Sequence, residues 1–530
     1  MRIAEITCVL IIIAVSYTFL TMRTDHACFP SGDEGSWMSV ASQLARGEGF
    51  TTRWYEHPFL THPMLPRPDD FRYPGLTLAL AAAFTAAGTS YATALHTTTV
   101  IFILFLLTLY IIIRKRYGIT TALTTVSATV FSLLQLHWNA AVYSEGLFGL
   151  GLCLLMSIIW FGNRTRLRTW ILLGVSIAVL YYIRLNGILF LAGLPVHLFF
   201  NRKNARPALV HTGTALAVFL VVASPWMVRS YVLFGNPLHV AGGAGVLRLA
   251  AVDPRTWTVF EFIARYSPLV FPKATAVGFW RFFSALHFFE KNLFILPLAG
   301  LLFAKVRTRT AGDPLIAGGV FATLLACFYI SHHESWAAVR YMSSLLPFLY
   351  ASGIRELLRS ISRATVNRHA LLRATAPALP ALLILSTVYY PHRFYLRHFY
   401  VPSPCTRSPE RHAATLDSLI DTSAYYFADA YGQFAFMSTR RCVGIQAYVD
   451  SSLMNLYCKR YHPALLVLNE NEYHDRRING ILHAMNRLGY HTEAPLRVDG
   501  GIYLRINHAT GLPADQGTPS AKPVPEGSPQ

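Results

Sequence analysis

Eleven apolar runs divide this chain, most of them near the length of about 20 residues that a helix needs to cross a ~30 Å hydrocarbon core. They fall at 6–22, 93–113, 119–136, 140–161, 168–182, 186–200, 207–229, 290–304, 314–331, 341–357 and 374–390. In lipid every backbone polar group must be bonded within the protein, so runs of this kind become helices. The pattern therefore predicts a polytopic α-helical membrane protein of about 11 spans. Composition agrees: 14% of residues are charged, against roughly a quarter in a soluble domain, and mean hydropathy is +0.38. The formal charge of +19 does not argue for a nucleic-acid partner, because the basic residues sit in short clusters between apolar runs.

Those clusters set the orientation. RKR at 114–116, NRTRLR at 163–168, NRKNAR at 201–206, KVRTR at 305–309 and the basic stretch 355–373 all fit the cytoplasmic side. The run from Ile6 to Met22 lacks a small-x-small cleavage site and precedes many others, so it reads as a retained first helix rather than a signal peptide. Residues 23–73, 230–289 and everything after 391 then lie outside. PGLTLALAAAFTAAG (74–88) would break the parity as a full crossing and is expected to be re-entrant or interfacial. The expected location is the inner membrane of a bacterium.

Three regions follow: a membrane domain over 1–390, an extracytoplasmic α/β domain over 391–507 and a Pro/Gly/Ser-rich disordered tail over 508–530. In the second, AYYFADA (424–430), ALLVLN (464–469) and GIYLRI (501–506) read as strands, and DRRINGILHAMNRLGY (475–490) as a helix. The alternation suggests a partly parallel sheet, and no Gly-rich phosphate fingerprint accompanies it. Cys442 and Cys458 there form one disulfide or remain two thiols.

The first outer loop opens with SGDEGSWMSVASQLARGEGF (31–50). Trp37, Val40, Ala41 and Leu44 share one face of a helix over about 35–46, lying along the membrane surface and ended by Gly47 and Gly49. Asp33 and Glu34 stand at its N-terminal end, where free N–H groups and the helix dipole favour an anion. A helix cap is one reading of the pair and a catalytic carboxylate the other. The same loop carries Glu48, Glu56, Asp69, Asp70, His57, His62, Arg46, Arg53, Arg67 and Arg72, more charge than a passive connection needs.

Six segments in order resemble the GT-C glycosyltransferases, in the branch of protein O-mannosyltransferases and lipid A aminoarabinose transferases. DEGSWMSVASQLARGEGF resembles that family's Asp-Glu loop, FRYPGLTLALAAAF its Tyr-Pro-Pro segment and NAAVYSEGLFGLGL (139–152) its Ser-Glu helix. YYIRLNGILFLAG (181–193), SPWMVRSYVLFGNPL (224–238) and VRYMSSLLPFLYASG (339–353) resemble its Arg-x-x-Gly, Pro-Trp…Phe-Gly-Asn-Pro and Arg-Tyr…Pro segments. This chain departs at Tyr73-Pro74-Gly75, where the family has a second proline, and its C-terminal region has little to match.

The resemblance implies transfer of a sugar from a polyprenyl-phosphate donor to a hydroxyl acceptor of the cell envelope, at the outer face of the membrane and among its lipids. Asp33 would act as general base, with Glu34 supporting it or contacting the acceptor. The leaving phosphate needs fixed cations: Arg340 beside Tyr341, Arg184 and Arg229 sit at outer ends of spans, with snorkelling to the interface as the alternative. Glu145 and His57 are candidates to support the site or meet the acceptor, a structural ion pair being the other reading of Glu145. No cofactor is expected. His57 and His62 with Glu56 are the metal alternative, weakened by Pro58 between them, and His332, His333 and Glu334 belong to an outer loop. The competing functions are a transporter, for which no internal repeat is found, and a non-catalytic scaffold binding through its outer domain.

Overall fold

The computed structural model describes residues 2–24, 33–55, 65–238, 259–297, 313–331 and 335–364. Beyond these it describes 409–421, 423–428, 440–444, 461–469, 489–498 and 501–508, with a few isolated residues between. The expected span at 374–390, the second half of 290–304, residues 332–334 and the tail after His508 lie outside the described residues.

Helices dominate. α1 (Arg2–Thr24) is followed by α2 (Asp33–Ala45), α3 (Pro74–Ala87), α4 (Tyr91–Tyr117), α5 (Ile119–Phe131) and α6 (Leu133–Asn139). Then come α7 (Glu145–Phe161), α8 (Leu167–Ile183), a 3-10 segment (Leu185–Ala192), α9 (Gly193–Phe200) and α10 (Ala205–Phe234). α11 (Val259–Glu290), α12 (Asp313–Ser331), α13 (Ser335–Ser343) and α14 (Leu346–Ala364) complete the bundle. Among the described residues two helices, Tyr91–Tyr117 and Arg202–Phe234, are long and apolar enough to cross a membrane alone. Val100, Ile111, Leu209, Val221, Val232 and Trp280 stand exposed on the outer faces of α4, α10 and α11. Apolar residues on the outside as well as the inside are what a bundle immersed in lipid requires.

Local chemistry fixes the helix limits near the outer loop. α3 opens on Pro74, which lacks an N–H that would have been unbonded there anyway. α4 is capped by Ser90, whose side chain accepts from the Thr93 amide at 3.0 Å, and closes on Gly118 at φ 93°.

Segment 74–88, expected to be re-entrant or interfacial, is a single 14-residue helix, about 21 Å long and too short to cross, packed by Leu76, Leu80 and Phe84 onto Trp37, Met38 and Ala41 of α2. Other expectations change. Run 119–136 is broken at Ser132 into α5 and α6, which meet at a 63° bend. Run 341–357 is likewise split between α13 and α14. The expected outer loop 230–289 instead contains the 32-residue α11, whose Phe282, Leu286 and Phe289 join the bundle core. Its apolar face is interrupted in sequence by Arg265, Pro268, Pro272 and Lys273, which is why it read as a loop.

The C-terminal region holds α15 (Pro409–Leu419) and β4 (Tyr425–Ala428), β5 (Arg441–Gly444), β6 (Leu465–Asn469), β7 (Tyr490–Thr492), β8 (Leu496–Val498) and β9 (Gly501–His508). Strands predicted at 424–430, 464–469 and 501–506 thus correspond to β4, β6 and β9, while most of the helix predicted at 475–490 lies outside the described residues. β4 pairs in parallel with β5 and β6, and β9 runs antiparallel to β6. Leu416, Tyr426, Cys442, Leu465, Val467 and Tyr503 form the core beneath it. Cys442 and Cys458 are separate buried thiols.

The first outer loop contributes three short strands, β1 (Thr51–Thr52), β2 (Trp54–Tyr55) and β3 (Arg67–Pro68), and β1 pairs with β3. β2 joins the C-terminal sheet, in parallel register with β5 at Trp54↔Cys442 and Tyr55↔Val443. The sheet order is β2-β5-β4-β6-β9-β7, with β8 added to β9. The C-terminal region is therefore not a self-contained α/β unit: its edge strand belongs to the loop that carries Asp33.

Candidate active site

Four helix ends and one loop converge on a single ion network. Asp33 and Glu145 each occupy the first turn of a helix, α2 and α7, where the dipole favours a carboxylate. Arg184 caps the C-terminus of α8, its amide bonded to the Leu180 carbonyl at 2.9 Å, where a cation is favoured. Arg340 comes from α13, and Arg72 lies just before α3.

Arg72 Nη2 donates to Asp33 Oδ1 at 2.9 Å and Arg340 Nη1 to Asp33 Oδ2 at 2.6 Å. Arg340 Nε also donates to Glu145 Oε1, the oxygen that receives Arg184 Nη1 at 2.7 Å. Three guanidinium groups face two carboxylates, a surplus of one positive charge. Glu145 Oε2 is buried without a hydrogen-bond partner among the described residues. The Arg340 guanidinium lies 4.2 Å from the Tyr143 ring centroid and 4.8 Å from that of Trp138, and Arg184 lies 4.8 Å from the ring of Tyr341. Planar cations stacked on aromatic faces keep their in-plane N–H groups free for an anion.

Burial alone would raise the Asp33 carboxyl, but the charges and hydrogen bonds of Arg72 and Arg340 outweigh it and hold the group well below the usual carboxylate range. Asp69, in the turn before Arg72, goes the other way. Burial first, then the neighbouring Asp70 charge, push it up to about 6, with Arg67 and Arg72 opposing.

The structure sorts the residues singled out in sequence. Asp33, Glu145, Arg184, Arg340 and Tyr341 come together. Glu34 is fully buried: its Oε1 accepts from Tyr91 OH at 3.1 Å and from the Val142 amide at 2.8 Å, anchoring α2 to α4 and to the turn before α7. With no exposed surface, it holds the helix rather than meeting an acceptor. Arg229 stands apart from the network and donates to the carbonyls of Phe50 and Asp69 at 3.1 and 3.0 Å, pinning the outer loop. His57, with Glu56 and His62, lies outside the described residues. Among the described residues no group of three His, Cys, Asp or Glu is placed to hold a metal ion.

Arg72, Tyr143 and Trp138 did not stand out in sequence as site residues. Arg72 was one of five arginines in a charged loop, and Tyr143 and Trp138 looked like ordinary interfacial aromatics. The available signal was proximity: Arg72 adjoins Tyr73-Pro74, and Tyr143 lies two residues before Glu145.

The fold is similar to those of several proteins of solved structure. ArnT from Cupriavidus metallidurans, solved bound to undecaprenyl phosphate, matches over 95% of this chain and 98% of its own, at a TM-score of 0.58 and 13% identity. The Archaeoglobus fulgidus oligosaccharyltransferase AglB, solved with an inhibitory peptide and a dolichol-phosphate, matches over 97% of this chain and 75% of its own, at 0.52 and 13%. The mycobacterial arabinofuranosyltransferase AftD matches over 94% of this chain and 41% of its own, at 0.50 and 12%. No protein-family model matches the sequence, and no curated protein does.

Proposed function

We propose that this protein transfers a sugar from a polyprenyl-phosphate donor to an acceptor hydroxyl at the outer face of a bacterial inner membrane, which it crosses about 11 times. The observation that carries the reading is the convergence of Asp33 with Arg340, Arg184 and Glu145 in a fold of this class. ArnT and AglB structures carrying polyprenyl phosphates support the choice of donor.

The chemistry asks for two things. A hydroxyl is a poor nucleophile until a carboxylate takes its proton as the new C–O bond forms, and we assign that role to Asp33. The old bond breaks as its electron pair passes to the lipid phosphate, and fixed guanidiniums at Arg340 and Arg184 take up the developing charge. One displacement inverts the anomeric centre. Tyr341 keeps Arg184 in place through its ring. Pairing of β2 with β5 supports a common side for the loop 23–73 and the C-terminal region, as the distribution of basic loops requires.

The test is turnover in liposomes with a panel of polyprenyl-phosphate sugars, following release of the lipid phosphate. One donor should be used, and Asp33→Asn should lower the rate by ~10²–10⁴-fold. Equal turnover in both would make Asp33 a helix cap only. Transport or scaffolding, the competing functions, would survive the substitution.

A further inference from the structure

The two arginines on Asp33 are held in different ways. Arg72 is fixed from every side. Its Nε donates to Ser36 Oγ at 2.8 Å, its backbone N–H to Asp69 Oδ2 at 2.7 Å and its Nη2 to Asp33 Oδ1 at 2.9 Å. Its guanidinium lies 4.2 Å from the ring centroid of Phe71 and 5.2 Å from that of Trp37, and the side chain is 5% exposed. Ser36 is three residues beyond Asp33 on α2, so Arg72 grips one helix face at two points.

Arg340 is shared. Its side chain is 14% exposed, Arg184 11%, Glu145 1% and Asp33 30%, so an anion arriving from outside meets Asp33, Arg340 and Arg184 before it meets Glu145. Arg340 bridges Asp33 and Glu145, and Glu145 crowds both arginines onto one oxygen while the other has no partner among the described residues. A phosphate offers what this arrangement lacks, several strong acceptors for the two guanidiniums.

We propose that Arg72 is a positioning residue for the transfer: it keeps hold of Asp33 through Oδ1, while a donor phosphate draws Arg340 away from Oδ2 and leaves that oxygen to accept the acceptor's proton. The proposal rests on the preceding reading of the site. Its consequence is an order. Without donor, both carboxylate oxygens of Asp33 are engaged, and two cations make it a weak base. With donor, Arg340 and Arg184 face the phosphate and Glu145 stays behind them. Oδ2 is then free, and the bond to Arg72 still fixes its direction. The hydroxyl proton passes to Oδ2, and the electron pair of the broken C–O bond leaves with the phosphate. The other ionisable groups near Asp33 are Glu145 and Tyr143 around Arg340, Glu34 on α2 and Asp69 behind Arg72.

Two readouts separate this role from a structural one: binding of undecaprenyl phosphate without sugar, and the pH dependence of kcat. Arg340→Gln should weaken undecaprenyl-phosphate binding about tenfold or more, the usual cost of a lost charged hydrogen bond. Arg72→Gln should leave that affinity within about twofold, lower kcat and move the acid limb of kcat to higher pH, because Asp33 loses its remaining cation. Arg72→Lys, which keeps the charge without the fork, should lower kcat with the acid limb nearly in place. Thermal unfolding in detergent screens the variants. If Arg72→Gln does not fold, Ser36→Ala, which removes one anchor of Arg72, should lower kcat and spare binding. Equal loss of binding in Arg72→Gln and Arg340→Gln would make Arg72 a phosphate ligand and overturn the proposal. A lower kcat with an unmoved acid limb in Arg72→Gln would make it merely structural, and so would undiminished kcat in Ser36→Ala. Wild type that fails to bind undecaprenyl phosphate overturns both this assignment and the donor on which it rests, whereas binding with the wrong pattern of variants overturns the assignment alone.

Discussion

Glu145 lies between two arginines with 1% of its side chain exposed, and this makes it the least replaceable charge in the network. Glu145→Gln keeps the shape and removes the anion, leaving Arg184 without this charged partner and Arg340 with Asp33 alone. Breaking one partner out of a buried ion pair costs about 3–5 kcal/mol, so the variant should unfold at clearly lower temperature in detergent while Glu48→Gln, on an exposed pair, should not. Asp69 gives a pH dependence. Its carboxyl is raised from 3.8 to about 6, so between those values the folded protein keeps a proton that the unfolded chain has released. This group therefore stabilises the fold when protonated, and stability falls as pH rises through that window, by roughly 3 kcal/mol at most for a shift of this size. Asp69→Asn should unfold at higher temperature than wild type at pH 7.5 and show no such advantage at pH 4. At this scale much of the candidate site was legible: Glu145 interrupts an apolar run, Arg184 and Arg340 stand at the ends of runs, and Asp33 opens a helix in the outer loop. Arg72 was not, because nothing in spacing says which of Arg46, Arg53, Arg67 and Arg72 folds back 39 positions onto Asp33.

Helix ends rather than helix faces build the site, and their placement depends on close approach between backbones. A Cβ on Gly75 would fall 2.8 Å from the Ile183 backbone and 3.1 Å from the Tyr182 carbonyl oxygen, at the end of α8 that carries Arg184. The absence of a second proline after Tyr73-Pro74 follows: only glycine lets α3 start against α8. Gly75→Ala should push the two apart, and turnover should fall by much more than unfolding temperature, with Gly213→Ala, where a Cβ meets nothing, as the silent control. The element scale was read less well than the residue scale. Hydropathy located the apolar segments but not their breaks, because Ser132 looks like any small residue within a run. There its hydroxyl caps α6 by accepting from the Gln135 amide at 3.1 Å and donates to Glu290 at 2.7 Å, from a helix expected to be a loop. A bend held by a partner 158 positions away leaves no local mark.

The molecule as a whole is tied together by an edge strand. Arg53, next to β2, reaches back to Gln43 of α2 at 3.0 Å and to Glu48 at 2.9 Å, and its carbonyl accepts the Cys442 amide at 3.1 Å. The end of the helix that begins with Asp33 is thus two bonds from the C-terminal sheet. A chain cut after residue 408 should still enter the membrane, yet lose most of its turnover as α2 loses that support; retention of full activity would show that the sheet serves only recognition. In sequence this sheet looks like a separate domain, since two residues of strand in a charged loop, Trp54 and Tyr55, carry no pattern of their own.

Pairing residue 55 with residue 443 also sets a schedule. During synthesis the loop bearing Asp33 emerges early, and the strand that completes its sheet follows hundreds of residues later. At ~5–20 residues per second that interval is roughly 20–80 s. Throughout it the bundle can insert and pack, but the loop has an unfilled edge. A prematurely released chain would therefore reach the membrane with its arginines and carboxylates in place and no finished sheet to steady them. Only a chain that extends through β5 would have that edge filled.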